Sequence, residues 1–281
     1  MRRVAAPLVL AVCAALLAGC SPAPLTSLPD GVSVSVRQNR DDYGPRRLEV
    51  LVANGTSEDL EVEQARLDSS AFSEPATTSR AATIRPGTTT ALRLELGPPQ
   101  CDGADAVEAT VALEFSTSAG SGSASVVPGD PLGTLDRVHR EDCLAGQVAS
   151  VVEIAPAGSV EVDDEAGVAV ARLQVVVTPT GADGGVTIEA IDRTILLRPA
   201  SGADAWPVGA RLDASSAPLT IDLAIVPSNC STHTVSEDKR GTFLPVRVTL
   251  HSGASGVVPI GVDDAVRGAL YDYIANDHCR W

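Results

Sequence analysis

The sequence predicts a mainly β protein built as two tandem β-sandwich domains, each ending in a short helix pinned by a disulfide. Three observations predict it. The stretch Leu92-Arg93-Leu94-Glu95-Leu96-Gly97-Pro98-Pro99-Gln100-Cys101 returns without a gap as Ile221-Asp222-Leu223-Ala224-Ile225-Val226-Pro227-Ser228-Asn229-Cys230. In both copies apolar side chains take alternate positions, the period of a half-buried strand, and a proline shortly before the cysteine stops the ladder. Downstream, Leu132, Leu135 and Val138 lead to Cys143 as Val266, Leu270 and Ile274 lead to Cys279, both sets at helical spacing. The apolar content is Val, Leu, Ile and Ala with only three Phe, three Tyr and two Trp, so the cores must be aliphatic and rich in the branched residues that suit strands.

A chain of 281 residues suits two domains of ordinary size, and a duplicated unit agrees with that. The organisation expected is a leader over residues 1–19, a modified cysteine and spacer over 20–30, a first sandwich over 31–146 and a second over 147–281. In the first unit Val32–Val36 alternates, and Leu48–Val52 ends at the turn Asn54-Gly55. Leu60–Glu63 then resumes the alternation, so the last two strands read as a hairpin. Ile84-Arg85-Pro86-Gly87 gives a turn before Leu92–Leu96, and Val107–Phe115 forms a further strand. Ala119–Ser123 reads as a hairpin tip or flexible loop before Ser125–Val127, and Asp130-Pro131 suits the cap and first position of a helix over Leu132–Cys143.

Gln147 starts the second unit without a long linker. Strands are expected over Val151–Ile154, Val168–Val177, Val186–Ile191, Leu219–Val226, Leu244–Leu250 and Val257–Val262, with Asp263 or Asp264 capping the second helix. About five to seven short strands per unit, with turn signals between them, resemble an immunoglobulin-like sandwich. The pattern departs from antibody-type domains, because the cysteines fall after a proline and at a helix end with no core tryptophan between them.

At the N-terminus Met1-Arg2-Arg3 supplies positive charge, Ala5–Leu17 an apolar run short for a bilayer, and Leu17-Ala18-Gly19-Cys20 a small-residue cleavage site. These residues resemble the lipobox of bacterial lipoproteins. The resemblance implies cleavage before Cys20, diacylation of its sulfur and a lipid-anchored place on the extracytoplasmic face of the cell membrane. Two acyl chains provide the double signal that stable anchoring needs. Ser21–Pro29, with Pro22, Pro24 and Pro29, reads as a short stiff spacer that lifts the first domain off the membrane. Arg66-Leu67-Asp68, Ile84-Arg85-Pro86-Gly87, Pro99-Gln100-Cys101-Asp102-Gly103 and Leu135–Cys143 together are similar to uncharacterised exported proteins of high-GC Gram-positive bacteria, a resemblance that implies no activity.

Of six cysteines, Cys13 lies in the leader and Cys20 carries lipid, which leaves four and three possible pairings. The duplication selects Cys101–Cys143 and Cys230–Cys279, because each unit then holds an equivalent bridge that an oxidising compartment preserves. The net charge is −15, and without Arg2 and Arg3 it becomes −17, so the surface repels phosphate backbones and anionic head groups. Nucleic acid is therefore not an expected partner.

Candidate chemistry is sparse. Cys230, His233, His278 and Cys279 form a weak metal set for zinc or copper, weighed against the plain disulfide. The first unit lacks those histidines: Ala104 matches His233, and Asp142 matches His278. His139, four residues before Cys143, reads as a surface or helix-end residue. Ser236-Glu237-Asp238-Lys239 has the spacing of the serine-x-x-lysine motif of penicillin-recognising enzymes, without their further motifs, and reads as an acidic turn. Asp41-Asp42, Asp163-Asp164-Glu165 and Asp263-Asp264 lack the spacing of a calcium loop and read as solvated turns and caps. Trp206 and Trp281 read as core or interface plugs. The reading that results has no catalytic residue and no cofactor: a membrane-anchored module for protein–protein contact or envelope scaffolding, whose partners are the bilayer and an envelope protein. The alternative is an accessory lipoprotein that binds a small ligand or metal at the Cys230/His233/His278 corner.

Overall fold

The computed structural model describes residues 23–78, 80–102, 107–236, 238 and 241–281. Cys20 and the leader lie outside the described residues. The first half carries β1 (Val32–Arg37), β2 (Arg47–Asn54), β3 (Leu60–Ser69), β4 (Ala76–Thr78), β5 (Ala82–Ile84), β6 (Thr88–Glu95), β7 (Ala109–Thr117) and β8 (Gly120–Val126), then helix α1 (Thr134–Val151). The second carries β9 (Val152–Glu165), β10 (Val168–Pro179), β11 (Gly185–Asp192), β12 (Leu197–Pro199), β13 (Ala205–Asp213) and β14 (Leu219–Pro227). After these come α2 (Thr232–Ser236), β15 (Phe243–Leu250), β16 (Ser255–Gly261), α3 (Asp264–Asp272) and a wider helical turn over Tyr273–His278.

Each half is two antiparallel sheets face to face, and the strand orders match. The order β1-β2-β6 corresponds to β9-β10-β14, which gains β12, while β4-β3-β7-β8 corresponds to β13-β11-β15-β16. This is the immunoglobulin-like arrangement. The repeated sequence occupies the same place in each: Leu94 lies opposite Leu48 across β6 and β2, as Leu223 lies opposite Leu173 across β14 and β10. All four side chains are at most 1% exposed, so the alternation that marks the repeat is the alternation that fills the two aliphatic cores.

The Asn54-Gly55 turn does not close a hairpin. β2 and β3 belong to different sheets, so the chain crosses the core there. The buried Asn54 side chain organises the crossing: Nδ2 donates to the carbonyls of Glu58 and Ile84, both at 2.7 Å, and Oδ1 accepts from the Thr56 amide at 3.0 Å. Satisfying that amide requires the crossover, since Ile84 is brought in from β5.

Helix α1 also departs from expectation, beginning later and running on to Val151. Asp130 still serves its start, because its carboxylate accepts from the amides of Thr134 at 2.7 Å and Leu135 at 2.9 Å. The first helical turn, however, follows Gly133 in a left-handed conformation. The extension past residue 146 follows from apolar residues that continue the helical spacing. Leu135 and Val138 pack in the first core, whereas Val148 and Val151 pack in the second with Leu144 and Ala145 beside them. One helix thus belongs to two cores.

Residues 25–29 are not a free spacer. Leu25 donates to Ser121 and accepts from the Ser123 amide, both at 3.0 Å, which makes a parallel bridge to Gly122 at the edge of β8. Leu25 and Leu28 pack against the first core. The opposite end of the same seam is closed where Val36 donates to Gly129 and Gly129 donates to Val34, each at 2.9 Å.

Cys101–Cys143 and Cys230–Cys279 are bonded, closing loops of 42 and 49 residues. On the loop-closure model, replacing either pair with serine lowers unfolding stability by about 4 kcal/mol. Denaturant melts of the two double-serine variants check this, and an effect below ~1 kcal/mol for either would show that staple to be mechanically idle.

Candidate functional site

The junction between the halves is the candidate site. The loop from β1 to β2, the middle of α1 and the β15/β16 ladder enclose a cleft of about 240 Å³ lined by Tyr43, Arg46, Asp142, Ala145 and Phe243, among others. Arg46 precedes β2 with φ of 52°, a left-handed conformation that costs a non-glycine residue. Its guanidinium explains why that geometry is kept. Nη2 donates to Asp142 Oδ2 at 2.6 Å and to the Gly97 carbonyl at 3.1 Å. Arg137 lies 5.0 Å from the Tyr43 ring centroid and donates to Gln38 at 2.9 Å and Glu141 at 2.8 Å. Phe243 closes the other wall against two glycines: a Cβ on Gly44 or Gly261 would sit 3.3 Å or 3.1 Å from its ring. The polar groups of the cleft are engaged with one another, which is the chemistry of a clamp that holds a loop to a helix.

Beside it, on the outer face of the β1-β2-β6 sheet, lies a buried acidic pair. Glu49 stands across the strands from Arg37 and Arg93 and pairs with both, at 2.7 Å and 3.3 Å. Asp42, in the short turn Arg40–Asp42, is 1% exposed, and neither of its oxygens accepts a hydrogen bond; its ion partner is Arg93 at 3.4 Å. The expected solvated turn is therefore wrong for Asp42, which is buried beside Arg93 and Glu49. Burial, reinforced by the Glu49 charge and opposed by Arg93, holds its carboxyl above the usual carboxylate range.

The residues singled out by sequence fall as follows. His278 does not meet His233. His278 Nδ1 donates to the Ala169 carbonyl at 2.8 Å, and the Tyr273 hydroxyl lies 2.8 Å and 3.0 Å from the carbonyls of Ala169 and Ile225. Burial pushes the Tyr273 hydroxyl up to about 12. His233 is exposed on α2, and Ser236 donates to its carbonyl at 3.0 Å; Lys239 lies outside the described residues. Among the described residues the metal-type side chains that do converge are Cys101, His139 and Cys143, with ligand atoms within 4.8 Å of one another. Both sulfurs there are committed to the disulfide, and His139 Nε2 donates to the Gln100 carbonyl at 2.8 Å.

The acidic runs have structural partners. Asp163 and Glu165 pair with Arg172, Asp164 accepts from the Gly167 amide at 2.8 Å, and Asp263 caps α3 by accepting from the Val266 amide at 2.7 Å. Trp206 is buried, with Nε1 donating to Ala224 at 3.0 Å, whereas Trp281 is 50% exposed and donates to the Cys230 carbonyl at 2.9 Å. Sequence reasoning missed Arg46, Tyr43 and Phe243 as a group. Their partners lie far along the chain, Asp142 being 96 residues from Arg46, and no local period encodes that.

No protein-family model matches the chain, and no curated protein does. Among solved structures, it is similar to red sea bream transglutaminase at 10% identity and a TM-score of 0.23, spanning 84% of this chain and 32% of that one. It is also similar to CBD12 from CALX1.2 at 14% identity and a TM-score of 0.22, spanning 78% of this chain and 77% of that one. A third is the CsuC–CsuE chaperone–tip adhesion subunit pre-assembly complex of Acinetobacter baumannii Csu pili, at 12% identity and a TM-score of 0.16, spanning 78% and 92%. The chain covers about a third of the transglutaminase. These likenesses carry no argument about activity.

Two outcomes follow from the charges. A double-mutant cycle on Arg46→Ala and Asp142→Ala, read by urea melts, gives a coupling of about 1 kcal/mol, as for a half-exposed pair with two-point geometry; zero coupling would remove the clamp. For Asp42 the folded chain holds its proton to higher pH than the unfolded chain does. Its contribution is therefore greatest below the unfolded value of 3.8 and is lost as pH rises through the raised folded value. Asp42→Asn, which cannot ionise, should flatten this dependence and melt at or above the wild-type temperature at neutral pH, where the wild-type carboxylate bears the cost of burial. Thermal melts across the acid range check it.

Proposed function

We propose that the chain is a lipid-anchored extracytoplasmic module that works by protein–protein contact or envelope scaffolding, with no catalytic step. One observation carries this reading: His139, His278 and Ser236, three of the side chains that sequence offered for chemistry, are bonded to the chain's own backbone, and the cysteines beside them are paired. His139 bonds Gln100, His278 bonds Ala169, Ser236 bonds its own helix, and the four cysteines outside residues 1–22 are bonded to one another. A protein–protein module needs a fixed surface on a stable body, and two equivalent staples on aliphatic cores supply it outside the cell. The lipobox-like stretch ending at Cys20 supplies the anchor.

The experiment is expression in a high-GC Gram-positive host, followed by membrane fractionation and mass spectrometry of the N-terminal peptide. The wild-type chain should carry diacylglycerol on Cys20 and partition with membranes, and Cys20→Ser should accumulate as an unprocessed precursor or be released. A mature-sized Cys20→Ser chain retained on membranes would overturn the anchor. Crosslinking in living cells should recover a defined envelope protein. Hydrolytic turnover that disappears with Ser236→Ala would overturn the non-catalytic part.

A further inference from the structure

Gly122 sits where the N-terminal segment comes down on β8. A Cβ built there would lie 1.9 Å from the Leu25 carbonyl oxygen and 2.6 Å from its nitrogen, both backbone atoms with no side chain to swing aside. Position 122 therefore admits glycine while Leu25 is seated. The seat is complete: Leu25 is bonded through both backbone groups to Ser121 and Ser123, Leu25 and Leu28 pack on the first core, and Pro29 accepts from the Val32 amide at 3.0 Å. The Gly-Ser-Gly-Ser run that reads as a flexible tip is a docking strip for a backbone.

We propose that this seat is an orienting device for the anchor: it shortens the lipid tether to residues 21–24 and holds one chosen end of the first sandwich at the bilayer. This rests on the lipidation of Cys20. Four residues reach at most about 14 Å even fully extended, where a free spacer to Pro29 would reach more than twice as far. The end held down is the one where the chain joins Gly122, formed by the start of β1, the β2–β3 crossing and the β7–β8 tip. Gly55 donates to the Gly31 carbonyl at 2.9 Å, which ties the crossing to the seat. Residues Asp30, Glu58 and Asp59 lie there, so that end is held near the membrane by the tether and not by attraction to acidic lipid.

The test uses the full acylated protein on phosphatidylcholine vesicles carrying an acceptor-labelled lipid. Donor dyes are placed by Ser118→Cys at the β7–β8 tip and Leu132→Cys beyond the far end of β8, a strand about 20 Å long. Both sites are exposed. Energy transfer should be several-fold stronger from position 118, and equal transfer from both would overturn the orientation. Gly122→Val should abolish the difference. Amide exchange on the purified protein reads the seat without any lipid: the Leu25 and Ser123 amides are slow in the wild type and at least tenfold faster in Gly122→Val. If that variant loses its far-UV signature, Leu25→Pro, which deletes the donor to Ser121, takes its place. Fast exchange in the wild type sinks the seat even where Cys20 is acylated. Slow exchange with an unmodified Cys20 sinks the anchor instead, and the two failures are told apart.

Discussion

Helix α1 serves two cores from the two ends of its length, and the junction between the halves follows from that. Leu135 and Val138 are buried among the strands of the first sandwich, and Val148 and Val151 among those of the second. To rotate one half against the other, a pair of these side chains must leave its core, at about 1.5–3 kcal/mol each. Cys143, midway along the helix, is bonded to Cys101 in the segment after β6, so the helix cannot slide along its axis either. The second wall of contact is steric: Gly256 on β16 leaves room for Leu144, whose Cδ2 would be 2.7 Å from any Cβ placed there. The cleft at Arg46 and Phe243 is the space left over by a junction fixed in this way.

The two halves close the same seam with different chemistry. The residue just before the second cysteine is Asp142 in the first unit and His278 in the second, and each reaches the start of the second strand of its own unit. Asp142 takes the Arg46 guanidinium; His278 takes the Ala169 carbonyl, with Tyr273 sharing that acceptor. In the first unit the tie is ionic and half-exposed, so salt screens it. In the second it is a pair of short bonds around a buried tyrosine hydroxyl, and screening does little to it. Histidine at 278 is thus the counterpart of a structural aspartate. That explains why the repeat keeps the cysteines and the position but not the residue type.

What could be read from sequence was whatever a local period encodes. Leu92, Leu94 and their copies Ile221 and Leu223 alternate because they line a sheet, and Val266 and Leu270 repeat because they line a helix face. The matching order of the cysteines located both bridges. Locality also set the errors. Asn54-Gly55 has the same residues whether the chain turns back into one sheet or crosses to the other, and what decides is the Ile84 carbonyl 30 residues away. The extension of α1 was hidden behind Ala145-Gly146, which looks like a helix end until Val148 and Val151 are seen to have a second core to enter. The Arg46–Asp142 clamp and the burial of Asp42 depend on partners from separate elements, and no window of sequence contains both sides.

Charge explains why an anchor of this kind would have to be hydrocarbon and would gain from being short. Without Arg2 and Arg3 of the leader, 36 acidic side chains stand against 19 basic, so an anionic bilayer would push such a body away and a long tether would let it stand off and turn freely within a Debye length or two. If the chain is anchored at Cys20, seating Leu25 on Gly122 would narrow that freedom at small cost, because a two-bond edge pairing and two partly buried leucines are exchanged for the entropy of a few residues. The same pairing covers part of the exposed edge of β8 with the protein's own chain, and an edge so covered is closed to strands of other molecules. On the anchored reading, one short contact then bears both on which end faces the lipid and on which stretch of the β8 edge is closed to other strands.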